Sequence, residues 1–267
     1  MTHLHRRQLL ALLASAALPL GSAAQTSKTQ GRLIIIGGAE DRQQDRIILR
    51  KFLELSGGSN AKIRVITAAS GVPDVVWASY QAVFQDLGAR NCEVVPMLTR
   101  EDASEPNVVS LLAEADGIFI TGGDQNRLMQ CLWESPAAQA MHRAFHLNNT
   151  CIAGTSAGAA VMSRHMLAQG TPTATPEKDV VSMDIGLSFM PNAIVDQHFS
   201  QRHRLSRLLS ALAQRPDLLG VGIDEDTALL IEPNQSVEIV GRGAVTLVDP
   251  RRMRSNLDTI GEGDKLE

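Results

Sequence analysis

The sequence predicts an α/β protein: one three-layer αβα domain with a mainly parallel sheet, a serine at a strand-to-helix elbow, and antiparallel strands near the C-terminus. Three observations lead there. Short apolar runs alternate with amphipathic helical stretches through the first half of the chain, a rhythm that builds parallel sheets covered on both faces. A G-x-S-x-G pattern lies between an apolar run and a stretch of small residues. Near the C-terminus, three short strand-like runs are separated by Pro-Asn-Gln and Gly-Arg-Gly turns.

The elements follow in chain order. Residues 32–38 (RLIIIGG) form an apolar run closed by glycines, as a strand buried on both faces does. Residues 45–55 place Ile47, Ile48, Phe52 and Leu55 on one helical stripe. Strands are predicted over 63–69, 92–97 and 117–121, and helices over 77–87 and 108–115. The Thr/Pro-rich stretch after Gly170 reads as a surface loop or hairpin within the same domain, because strand patterning resumes at 193–195. Runs 228–232, 237–240 and 244–248 predict an antiparallel meander at one sheet edge.

Residues 1–24 read as an address. A basic start, an apolar run over 9–20 and small residues at 22–24 are the parts of a secretory signal peptide, and Arg6-Arg7 hints at twin-arginine export. The mature domain is then 25–267, periplasmic or secreted, with no membrane segment once the signal is removed. The formal charge of −4 argues against nucleic acid as a partner, and 3% aromatic residues are too few to read bases by stacking. Cys92, Cys131 and Cys151 are odd in number and lack zinc-site spacing; Cys92 and Cys151 read as small core residues.

Gly154-Thr155-Ser156-Ala157-Gly158 carries the strongest chemical signal. A nucleophile on a sharp strand-to-helix turn needs small neighbours on both sides. Ser156 is therefore the candidate nucleophile, with the backbone N–H of Ala157 facing a developing oxyanion. Ser156 as a plain helix N-cap, or an anion site at that helix end, are the other readings.

Asp196-Gln197-His198 follows a strand, where open α/β sheets build their sites. His198 falls outside the apolar stripe of the helix after it, for which Ser200 reads as the N-cap; the other mature-chain histidines fall in helix-like stretches. Arg202, Arg204 and Arg207 form a local positive cluster on that helix, read from the residues as a solvated face. Asp224-Glu225-Asp226 ends another strand, and one of these acids could orient His198; three adjacent acids also suit an exposed turn or a weak cation site. The order Ser, His, acid differs from that of α/β-hydrolases. Finally, Thr121-Gly122-Gly123-Asp124-Gln125 follows a strand, where Gly123 could supply a second oxyanion donor and Gln125 could hold a substrate group.

Together, ITGGDQ, GTSAGAAVMS, DQHFSQRHRLSRL and GIDEDTAL resemble the cyanophycinase family of serine peptidases, over about residues 32–248. The resemblance implies a glutamine-amidotransferase-like α/β fold and kinship with aspartyl dipeptidases. It implies hydrolysis of cyanophycin, a poly-aspartate carrying arginine on each β-carboxyl, to β-Asp-Arg dipeptides. It also implies Ser156 as nucleophile, His198 as base and Glu225 as the orienting acid. Substrate-pocket roles are implied for Gln125, Asp196, Gln197, Arg202, Arg204 and Arg207, and family members point to a homodimer. Such a mechanism needs no metal and no organic cofactor. An aspartyl or isoaspartyl dipeptidase, and a non-catalytic periplasmic protein binding Asp/Arg peptides, are the rivals. A nucleotide-binding module is disfavoured because IIIGGAED lacks G-x-G-x-x-G.

Overall fold

The computed structural model describes residues 30–267, so the signal-peptide reading lies outside the described residues. Five parallel strands form the centre of the main sheet: β1 (Leu33–Ile36), β2 (Lys62–Ile66), β3 (Asn91–Val94), β4 (Gly117–Ile120) and β5 (Cys151–Thr155). Antiparallel β10 (Thr227–Ile231) and β11 (Val237–Gly241) extend it on the β1 side. The resulting order is β11-β10-β1-β5-β4-β2-β3.

Strand β1 shows why its sequence is uniformly apolar. Leu33 and Ile35 face one core cluster, Ile34 and Ile36 the other, and all four are buried. On the second face lie α1 (Ile47–Leu55) and α2 (Pro73–Asp86), whose Phe52 and Phe84 meet Phe119 of β4 at ring separations of 5.4 and 5.6 Å. On the first face lie α3 (Pro106–Ala113), α4 (Gln125–Leu132) and α5 (Pro136–Leu147). The sequence reading sets no bounds for a helix at α4 or α5, although it takes the stretches around His142 and His146 as helix-like, and both carry start signals. Asp124 accepts from the Asn126 and Arg127 amides ahead of α4, and Ser135 accepts from the Ala138 amide with Pro136 following.

Beyond Ser156 the chain turns through α6 (Ala157–Ala160) into a hairpin of β6 (His165–Gly170) and β7 (Val181–Ile185), with the Thr/Pro-rich loop at its tip. A second sheet then forms from β8 (Ala193–Gln197), β9 (Leu219–Ile223) and β12 (Val245–Val248), in the order β12-β9-β8. Its Val195, Val221 and Ile223 join the first-face core, while α7 (Leu205–Gln214) packs Leu208 and Leu212 against Ile194.

Three expectations are corrected here. The C-terminal meander stops after β10 and β11, because β12 leaves the main sheet to pair with β9. Helix α7 begins at Leu205 rather than at a Ser200 cap, so Arg202 and Arg204 precede it and only Arg207 lies on it. His165 begins a strand and His203 lies in a turn, so neither is helical.

Candidate active site

The carboxyl ends of β1, β5, β8 and β9 converge, and the GTSAG turn sits among them. Gly154 and Gly158 are demanded by contact: a Cβ on the first would lie 2.2 Å from the Gly158 carbonyl oxygen, and one on the second 2.3 Å from that of Ile120. With β5 and α6 pressed together in this way, Ser156 is left on a strained corner at φ 52°, ψ −112°. Its amide donates to Ile36 O at 3.1 Å, and its side chain caps no helix amide. The side chain is turned instead to His198.

Ser156 Oγ lies 2.8 Å from His198 Nε2, and His198 Nδ1 lies 2.6 Å from Glu225 Oε1. His198 also has a left-handed backbone, φ 49°, and its amide donates to Gly37 O at 2.7 Å. The loop after β1 therefore aims the imidazole at the serine. Gln201 Oε1 accepts the Glu225 amide at 3.0 Å, which holds the acid's own backbone.

The neighbouring acids are occupied elsewhere. Asp224 accepts from the Ser200 and Ala244 amides at 3.0 and 3.1 Å. Asp226 accepts from the Asp41 amide at 2.8 Å and lies 3.5 Å from the Arg242 guanidinium. Of the three, Glu225 alone faces His198, and the three carboxylates do not converge as a cation site.

Burial lowers the pKa of His198 below its ordinary 6.5, with the Glu225 hydrogen bond opposing that shift and the Arg202 charge adding to it. The imidazole is therefore neutral at pH 7 and able to accept a proton from Ser156. Burial pushes the Cys92 and Cys151 thiols up to about 12, so neither is a thiolate nucleophile.

Gly122 packs against Ser156, where a Cβ on it would lie 3.2 Å from the serine Cβ. That contact brings the Gly122-Gly123 turn to Ser156. Among the described residues the amides of Gly123 and Ala157 have no protein acceptor, which leaves both free to bind an oxyanion.

The remaining predicted residues form the wall and base. Gln125 is half-buried and donates from Nε2 to the carbonyls of Leu167 and Ala168 at 3.1 and 2.8 Å. Asp196 is fully buried, and its carboxylate is held by Arg207 through both Nε and Nη2 and by Arg204 Nη1 at 3.3 Å. Arg204 Nη1 also donates to Gln197 O at 2.7 Å. Arg204 and Arg207, 8% and 6% exposed, are thus not the solvated helix face their sequence pattern predicts. Two guanidinium groups share one carboxylate, so the cluster carries a net positive charge. Arg204 Nε and Gln197 Oε1 are buried without a partner. Arg202 is exposed.

One buried acid escaped the sequence reading. Glu40 is 4% exposed and accepts from Tyr80 Oη and, at 2.5 Å, from Thr155 Oγ1, the residue before Ser156. Its only signal was position, four residues past the end of β1.

A serine hydrogen-bonded to a histidine that is itself held by a carboxylate is the geometry of nucleophilic acyl transfer, and it recurs on unrelated folds. The family is decided by comparison: the model of Peptidase family S51 matches residues 33–239. The chain belongs to peptidase family S51. This S51 member is accordingly a serine-type peptidase. It is 40% identical to a cyanophycinase of Nostoc over 89% of this chain and 80% of that one. It is 41% identical to a cyanophycinase of Synechococcus elongatus, over 85% of this chain and 70% of that one. The S51 fold is shared with a crystallised peptidase of an acI-B1 actinobacterium, at TM-score 0.67 and 22% identity over 84% of this chain and 92% of that one. A putative peptidase E from Listeria monocytogenes matches at TM-score 0.57 and 17% identity, over 80% of this chain and all of that one.

Proposed function

We propose that this S51 peptidase hydrolyses cyanophycin to β-Asp-Arg dipeptides through an acyl-enzyme on Ser156. The observation that carries the proposal is the Ser156–His198–Glu225 relay, at 2.8 and 2.6 Å. Ser156 Oγ attacks a backbone carbonyl between aspartyl units while its proton passes to His198 Nε2. Glu225 fixes the Nδ1–H tautomer and stabilises the imidazolium. The Ala157 and Gly123 amides receive the oxyanion. His198 then gives its proton to the leaving amine, and water, deprotonated by the same imidazole, releases the acyl group.

The substrate class is supported by the named relatives and by the charge of the pocket base. Asp196 holds both Arg204 and Arg207, and the unpartnered Nε of Arg204 and Oε1 of Gln197 suit a ligand with both carboxylate and donor groups. Arg202 supplies an exposed cation at the rim. The N-terminal pattern supports export of the mature chain.

Incubation of the mature protein with insoluble cyanophycin, and separately with α- and β-Asp-Arg dipeptides, tests the reading by mass spectrometry. Release of β-Asp-Arg from the polymer, lost in Ser156→Ala and retained in EDTA, is the expected result. Cleaved dipeptides beside an intact polymer would make the protein an aspartyl dipeptidase instead. Export is tested by sequencing the N-terminus of protein recovered outside the cytoplasm, where a start near residue 25 is expected.

A further inference from the structure

A groove of about 740 Å³ runs between α4 and the β6–β7 hairpin, apart from the relay but joined to its rim. The join is at the start of α4. Gln125, two residues beyond the Gly123 oxyanion donor, donates to Ala168 O, and Asn126 reaches the same carbonyl at 3.5 Å. From there the groove follows α4 to Trp133 at its far end. Eight helical residues span about 12 Å. An extended backbone advances about 3.3–3.6 Å per residue, so the groove accepts about three residues of an extended chain.

Its chemistry is mixed in a particular way. The indole of Trp133 is 38% exposed over a floor that includes Met129. Arg100 donates Nη1 to Trp133 O at 2.6 Å and, among the described residues, has no carboxylate partner. Asp184 on β7 accepts only its neighbour's amide, that of Ile185 at 2.7 Å, and has no cationic partner among those residues. A cation and an anion thus stand without ion-pair partners beside an aromatic face along one channel, and the two do not neutralise each other.

We propose that this groove is an outer subsite for the polymer, holding zwitterionic arginine side chains several residues from the scissile bond. The proposal rests on the cyanophycin reading. An arginine joined through its α-amine to a β-carboxyl keeps a free carboxylate and a free guanidinium. Arg100 suits the carboxylate, while Asp184 and the Trp133 ring suit the guanidinium. Short substrates bound at the relay end too soon to reach these groups. The groove would therefore confer polymer preference without changing the chemistry.

The test separates binding from turnover. Ser156→Ala protein is co-sedimented with insoluble cyanophycin, alone and with Asp184→Asn, Arg100→Ala or Trp133→Ala added. In the active protein the same groove substitutions are assayed for β-Asp-Arg release from polymer and from a two-unit oligomer. We expect each to weaken polymer binding about three- to tenfold, lower kcat/KM on polymer in proportion, and leave the two-unit substrate unchanged. Asp184 is exposed, so Asp184→Asn tests the groove without threatening the fold. Equal effects on both substrates, or unchanged polymer binding, would overturn the subsite while cyanophycin cleavage stood. Polymer bound through the groove but not cleaved would overturn the cleavage reading and keep the subsite. Polymer neither bound nor cleaved would overturn both.

Discussion

A Cβ at Gly38 would lie 2.3 Å from Cε1 and 2.5 Å from Nε2 of His198, so the imidazole occupies the space that any side chain at position 38 would need. The glycine pair after β1 thus shapes the site twice, since Gly37 O also accepts the His198 amide. Gly38 has φ 104°, which adds backbone strain to any replacement. Gly38→Ala should displace the ring from Ser156 and lower kcat by about 10²-fold or more. Far-UV circular dichroism should remain that of the parent, and a variant of normal activity would refute this account of the packing.

The acid limb of the pH–rate profile reports the same histidine. Because burial depresses its pKa, the neutral base persists below pH 6.5, and kcat/KM should fall to half only under that value. Arg202→Ala removes a charge that favours the neutral ring, so the midpoint should move up. Glu225→Gln removes the contact that raises the pKa, so the midpoint should move down, with kcat lowered by about 10³–10⁴-fold. Profiles of the three proteins measured over pH 4–9 decide the signs.

Asp196 has a structural duty that can be measured without substrate. It neutralises one of two buried guanidinium groups, and Asp196→Asn would leave both uncompensated. Breaking a buried pair in this way costs about 3–5 kcal/mol, or roughly 6–20 °C in Tm for a domain of this size. Differential scanning calorimetry of the pair of proteins is the check. A Tm unchanged within about 2 °C, the effect of about 1 kcal/mol, would place the ion cluster outside the stability of the fold.

Glu40 holds Thr155, the residue before Ser156. Its two carboxylate oxygens accept from Tyr80 and Thr155, and the amide nitrogen of Glu40→Gln can accept from neither. A loosened Thr155 should disturb the strained Ser156 corner, lowering kcat about tenfold with KM little changed. A matching fall in Tm with intact kcat would instead make Glu40 a purely structural residue.

The five parallel strands and the elbow that carries Ser156 were legible because each is written locally. Runs such as LIII and GIFI are apolar on both faces, and Gly-Thr-Ser-Ala-Gly carries its own steric requirement. From residue type alone the acid beside His198 was legible only as one of three, and the family resemblance pointed to Glu225. Residues 224, 225 and 226 are alike in sequence, and their roles diverge only because Ser200, Ala244, Asp41 and Arg242 occupy two of them. The departure of β12 has a related cause: its sequence suits a meander, but it pairs antiparallel with β9, on the other sheet, instead of with β11.

By itself the sequence determined the alternation of strands and helices, the elbow serine, and which histidine stands at a strand end, since periodicity and glycine spacing are properties of neighbouring residues. Tertiary structure alone decided that Glu225 faces His198, that Asp196 binds Arg204 and Arg207 in the interior, and that Glu40 braces Thr155. Those pairings join residues 8 to 115 positions apart. Which polar groups meet at such separations depends on how sheets and loops stack, and burial then requires each of them to find a partner.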